Sequence, residues 1–86
     1  MRLETVRAKI DRIDEQIITL LAKRMELARK AKHAKDKRGL PLVDPEREAG
    51  VMQRLRDIAT SFQLNLQFIE KLFTEILEES RNVQKD

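Results

Sequence analysis

The segment LETVRAKIDRIDEQIITLLAKRMELARKAKHAKDKR, residues 3–38, decides the fold. Leu3, Val6, Ile10, Ile13, Ile17, Leu20, Arg24, Leu27, Ala31 and Ala34 recur at strict three-four spacing, which is the period of one face of an α-helix. Ile18, Leu21 and Ala28 widen that line into a stripe of the globular type. No Gly or Pro interrupts the pattern before Gly39 and Pro41, which predict its end near Arg38. At 1.5 Å per residue such a helix is ~54 Å long.

Beyond it, Asp44-Pro45-Glu46-Arg47-Glu48 reads as a helix start: Asp as N-cap, Pro in the first turn, acids beside the positive end of the dipole. A softer break at Thr60 to Asn65 precedes a third helix, with Asn65 as its cap. The expectation is all-α, with helices Leu3–Arg38, Pro45–Ser61 and Leu66–Gln84 in one domain, residues 1–86. The two shorter helices would measure ~25 Å and ~28 Å. Folded back on the long one they would lie end to end, which makes a poor three-helix bundle. A second copy lying antiparallel on the first helix buries the seam far better, so the pattern predicts an intertwined two-fold homodimer.

Composition points the same way. A chain of 86 residues buries proportionally little surface and commonly leans on disulfides, metals or a partner. There is no Cys, and a single His leaves carboxylates as the other metal ligands, so no metal site is expected. No apolar run reaches the ~20 residues that span a membrane, and the first 38 residues lack the apolar core of a signal peptide; a cytoplasmic setting fits. Net charge is +3 with the signs interleaved, so Arg29 to Arg38 reads as a solvated basic face and nucleic acid is not an expected partner.

Several polar residues stand where the pattern asks for apolar ones. Arg24 sits in the seam among Leu20, Leu21, Leu27 and Ala28, and an unpaired guanidinium there would cost several kcal/mol. Its partner is either a carboxylate such as Glu48 or an anionic ligand. Lys35 lies eleven residues on, close to three turns, and projects from the same face. Glu48 borders the apolar face Val51, Met52, Leu55, Ile58 and Ala59 of the second helix. Phe73, Leu77, Ser80 and Gln84 form one ridge of the third, ending in two polar groups. Arg7 is seventeen residues before Arg24, ~25 Å along the same helix, so it reaches the same ligand from an antiparallel partner or, without a dimer, is an exposed arginine.

These residues include no nucleophile–base pair, no Gly-rich phosphate loop and no dinucleotide fingerprint, and His33 reads as solvated. Arginines, a lysine, one glutamate and neutral donors suit a small multi-carboxylate anion. Such a site can catalyse without proton transfer, by holding a reactive conformer and stabilising developing negative charge.

The chain resembles the all-helical class of chorismate mutase along essentially its whole length. The likeness rests on Val6-Arg7-Ala8-Lys9-Ile10-Asp11 with Ile13-Asp14, on Leu20-Leu21-Ala22-Lys23-Arg24-Met25-Glu26-Leu27, on Lys35, on Asp44 to Glu48, and on Ser80 with Gln84. The resemblance implies conversion of chorismate to prephenate in aromatic amino-acid biosynthesis, without a cofactor. It implies that Arg24, with Arg7 of the second protomer, grips the two carboxylates. Lys35 would bridge a carboxylate and the ether oxygen, and Gln84 would donate to that oxygen. Glu48 would accept from the ring hydroxyl, assisted by the backbone near Asp44; Arg47 and Ser80 would complete the polar wall, and Ala31 and Leu77 the apolar floor. Two other readings stand beside it: isochorismate–pyruvate lyase on the same scaffold, and a non-enzymatic dimeric helical interaction module.

Overall fold

In the computed structural model, which describes residues 1–85, the chain forms three helices: α1 (Leu3–Arg38), α2 (Pro45–Ser61) and α3 (Leu66–Gln84). Their bounds are those the sequence predicts, and no strand occurs among the described residues. Asp86, the last residue of the expected domain, lies outside them.

Local chemistry explains each boundary. Gly39 takes φ 66°, a left-handed conformation that costs a residue without Cβ nothing. It donates to the Asp36 carbonyl while Leu40 donates to Lys35, the paired bonds that close a helix C-terminus. Asp44 accepts from the Arg47 N–H at 3.0 Å and Asn65 accepts from the Phe68 N–H at 2.9 Å, capping α2 and α3. α2 ends by the same paired bonds as α1, Gln63 to Thr60 and Leu64 to Ala59, although Gln63 at φ 58° replaces the glycine that would favour this turn.

Ion pairs and hydrogen bonds between side chains mark the relative directions of the helices. Arg56–Glu70 and Arg81–Glu48 join α2 to α3 in antiparallel order. Arg24 with Ser80, and Lys35 with Gln84, join α1 to α3 in parallel order. α1 and α2 both pack on α3 and not on each other, so α3 is the shared wall of the space between them.

That arrangement buries little within one chain. Among the described residues the buried apolar side chains are Val51, Ala59 and Ile69, and α1 contributes none. Ile13, Ile17, Leu20 and Leu27 stay 50–62% exposed on the seam. On α2 and α3, Ile58 and Leu72 also stay partly open, so those apolar faces are only partly covered by their own chain. The radius of gyration is 16.0 Å, against about 12 Å for a compact chain of this length. The accessible surface is 7213 Å², roughly 1,900 Å² more than a folded monomer of this mass exposes.

Candidate active site

A cleft of about 360 Å³ opens between the C-terminal half of α1, the loop after it, the first turns of α2 and the last turns of α3. α1 lines it with Arg24, Leu27, Ala28, Ala31 and Lys35; the loop and α2 add Leu42, Asp44, Arg47, Glu48, Val51 and Arg54; α3 adds Leu77, Ser80, Arg81 and Gln84. Its size is within the range of small-ligand pockets. Periodicity explains the convergence: Arg24 and Lys35 are near three whole turns apart on α1, and Leu77, Ser80 and Gln84 follow three-four spacing on α3.

Arg24 is half-buried and donates through Nη1 to the Ser80 hydroxyl. Ser80, only 7% exposed, donates in turn to the Ile76 carbonyl at 2.9 Å. No carboxylate pairs with Arg24 among the described residues. Of the two partners open to Arg24 in the sequence, Glu48 is already taken: Arg81 Nη1 lies 2.7 Å from its Oε1 and 2.9 Å from its Oε2. Burial, and then the neighbouring Arg47 charge, lower the Arg24 pKa from its ordinary value. Both causes mean that the positive form lacks compensation from the protein, which is the electrostatic condition for an anion site.

Lys35 Nζ donates to the Leu42 carbonyl at 2.7 Å and to Gln84 Oε1 at 3.0 Å. The ammonium can only donate, so it fixes the amide of Gln84 with its oxygen toward Lys35 and its Nε2 available as a further donor. Gln84 is 7% exposed. Five cationic side chains line the cleft against two carboxylates. Asp44 is engaged as the cap of α2 and Glu48 by Arg81, so Arg24, Lys35, Arg47 and Arg54 face the cleft without an acid of their own.

Arg24, Lys35, Asp44, Arg47, Glu48, Ser80 and Gln84, singled out in the sequence, all line this one cleft, as do Ala31 and Leu77. Arg7 does not; it is exposed on the N-terminal half of α1. Arg54 and Arg81 belong to the cleft and escaped the sequence reading. Their signals were present: Arg81 is four residues after Leu77 and three before Gln84, and Arg54 is two turns after Arg47. No group of His, Asp and Glu able to hold a metal occurs among the described residues, and no helix there is long and apolar enough to cross a membrane.

Residues 6–85 match the family model described as chorismate mutase type II. The chain belongs to that family. A chorismate mutase of Methanocaldococcus jannaschii is 33% identical over 84 residues, covering 98% of this chain and 85% of the relative. A bifunctional chorismate mutase/prephenate dehydratase of Buchnera aphidicola is 37% identical over 83 residues. It is matched along 96% of this chain and 22% of its own length. A T-protein of Enterobacter agglomerans is 33% identical over 84 residues, again 22% of its length. The chain therefore spans about a fifth of those longer proteins and most of the archaeal one. Family membership supports an isomerase of the chorismate mutase class on an all-helical fold, and supports neither the lyase nor the interaction-module reading.

Proposed function

We propose that this cleft binds chorismate and rearranges it to prephenate by electrostatic preorganisation, with neither covalent nor acid–base catalysis. The observation that carries the proposal is Arg24: half-buried, bonded to a neutral serine, without an acid partner, and in one cleft with the Lys35–Gln84 pair. The reaction breaks the ether C–O bond as a C–C bond forms at the ring, and negative charge grows on the ether oxygen. Lys35 Nζ and Gln84 Nε2 are the donors suited to that oxygen. Hydrogen bonds to it strengthen as the charge develops, so they lower the barrier rather than simply tightening binding. Arg24 and Lys35 hold carboxylate oxygens, Arg47 and Ser80 extend the polar wall, and Glu48 accepts from the ring hydroxyl beside Asp44. Ala31 and Leu77 give an apolar floor that limits competition from water.

The second part of the proposal is a two-fold homodimer in which Arg7 of one protomer completes the cleft of the other. The uncovered seam of α1 and the excess surface support it, because roughly 1,900 Å² per protomer is the scale of an obligate interface. Residues 1–86 act as one domain, no cofactor takes part, and a cytoplasmic setting belongs to this reading on the sequence alone. A chorismate-disappearance assay on purified protein, with Arg24→Ala as control, tests the activity. Turnover that Arg24→Ala abolishes is the expected result; a folded dimer with no activity above background refutes it. Isochorismate offered in parallel should yield no salicylate and pyruvate.

A further inference from the structure

Arg81 has no part in the mechanism above, yet it sits inside the cleft and makes its closest ion pair. One guanidinium nitrogen reaches both oxygens of Glu48, at 2.7 and 2.9 Å, across 33 positions of sequence. Both side chains are about two-thirds withdrawn from solvent, with exposures of 31% and 27%.

A lone flexible carboxylate among several cations will settle on whichever one it can approach. If Glu48 turned toward Arg24 or Arg47, it would cancel a charge that the cleft offers to an anion. It would also set a negative group against the substrate's own carboxylates. The pair with Arg81 blocks that turn. A carboxylate has about four acceptor directions, and a shared Nη1 occupies one on each oxygen, leaving the others for a hydroxyl. α3 places Arg81 next to Ser80 and three residues before Gln84, so one helix supplies neutral donors and the counterion of the acid.

We propose that Arg81 is a positioning residue: it holds Glu48 as a hydroxyl acceptor and keeps it from neutralising the cations that grip the substrate. The inference rests on the chorismate reading of the cleft. An ordinary interhelical ion pair would add only stability, so the test needs a kinetic readout. Arg81→Met and Arg81→Lys are measured for kcat and KM, alone and in a Glu48→Gln background, with thermal melts recorded alongside.

Arg81→Met should raise KM about tenfold or more with a smaller loss in kcat, the pattern of lost substrate binding. Arg81→Lys should recover most of that loss. In the Glu48→Gln background Arg81→Met should change KM by less than about twofold, because coupled partners are not additive. If Arg81→Met fails to fold, Arg81→Lys carries the test, with a smaller KM rise that vanishes in the same background. Wild-type constants in Arg81→Met, or an equal loss in both backgrounds, overturn the inference while leaving the activity in place. A wild type inert toward chorismate removes the reading of the cleft and this inference with it.

Discussion

Mixing two inactive variants decides whether a cleft draws on one chain or two. Arg7 and Arg24 lie seventeen residues apart on the unbroken helix α1, ~25 Å at 1.5 Å per residue. A small dianion held by Arg24 is far out of reach of Arg7 in the same chain. Arg7→Ala and Arg24→Ala should each lower kcat/KM by about 10²-fold or more, as expected for removal of a cation that grips a desolvated carboxylate. The two variants are then unfolded together in equal amounts and refolded. Random pairing makes about half of the molecules heterodimers of two-fold type. Each heterodimer has one cleft with both arginines intact and one lacking both. The mixture should therefore recover about a quarter of wild-type prephenate formation per chain, where each variant refolded alone stays near background. The readout is initial rate at chorismate well below the wild-type KM, where it reports kcat/KM, normalised to protein concentration. No recovery above the separate variants, in a mixture shown to contain heterodimers, refutes the shared site. Full activity in Arg7→Ala alone refutes the role of Arg7.

Four further outcomes follow from the same geometry. Lys35→Arg should lose about 10²-fold in kcat, because a planar fork cannot reproduce a compact ammonium held between Leu42 and Gln84; near-normal kcat in this charge-preserving variant would count against the mechanism. The wild-type rate should be flat near neutral pH, since the neutral Gln84 amide donates without first taking up a proton, whereas Gln84→Glu should be active only where the new carboxyl is protonated, its rate falling as pH rises through that pKa; an unchanged profile in the variant removes Gln84 from the reaction. Ile17→Asp, placed on the open seam of α1, should convert the dimer to monomer in sedimentation experiments at micromolar protein, since burying an unpaired carboxylate in each copy costs several kcal/mol; a dimer that persists places the interface elsewhere. Gln63→Gly should raise the melting temperature, with a gain of about 1 kcal/mol from relieving a left-handed residue that carries a Cβ; a lower melting temperature contradicts that account of the α2 C-terminus.

The helix boundaries were legible because each is set by local chemistry. Gly39, Asp44-Pro45 and Asn65 are residues whose own conformational and capping preferences stop or start a helix. The turn at Gln63 was not legible in the same way: nothing in its side chain asks for positive φ, which accompanies the paired bonds to Thr60 and Ala59 that close α2. The site divided along similar lines. Arg24, Lys35, Glu48, Ser80 and Gln84 betray themselves by breaking an apolar pattern, and all of them line the cleft. The partner of Arg24 could not be chosen from spacing, since Glu48 and an external anion satisfy the same pattern. Tertiary geometry removed the first of these by giving Glu48 to Arg81 and left Arg24 on the Ser80 hydroxyl. Arg81 itself occupies a position of correct period, but an arginine at the polar end of a surface helix is so ordinary that only its contact distinguishes it.

Along the first seventeen residues every side chain but Val6 is exposed in the protomer, with the seam residues Ile10, Ile13 and Ile17 still 50–53% open. On the proposed dimer this stretch of helix is covered by a neighbour and delivers Arg7 in the same event, so association and catalytic competence share one equilibrium. Activity per chain would then depend on abundance, rising smoothly through the dissociation constant as the dimer fraction rises. A copy lacking Arg7 would also act beyond itself, silencing the cleft of the intact chain it joins while its own cleft, served by the intact chain's Arg7, keeps working.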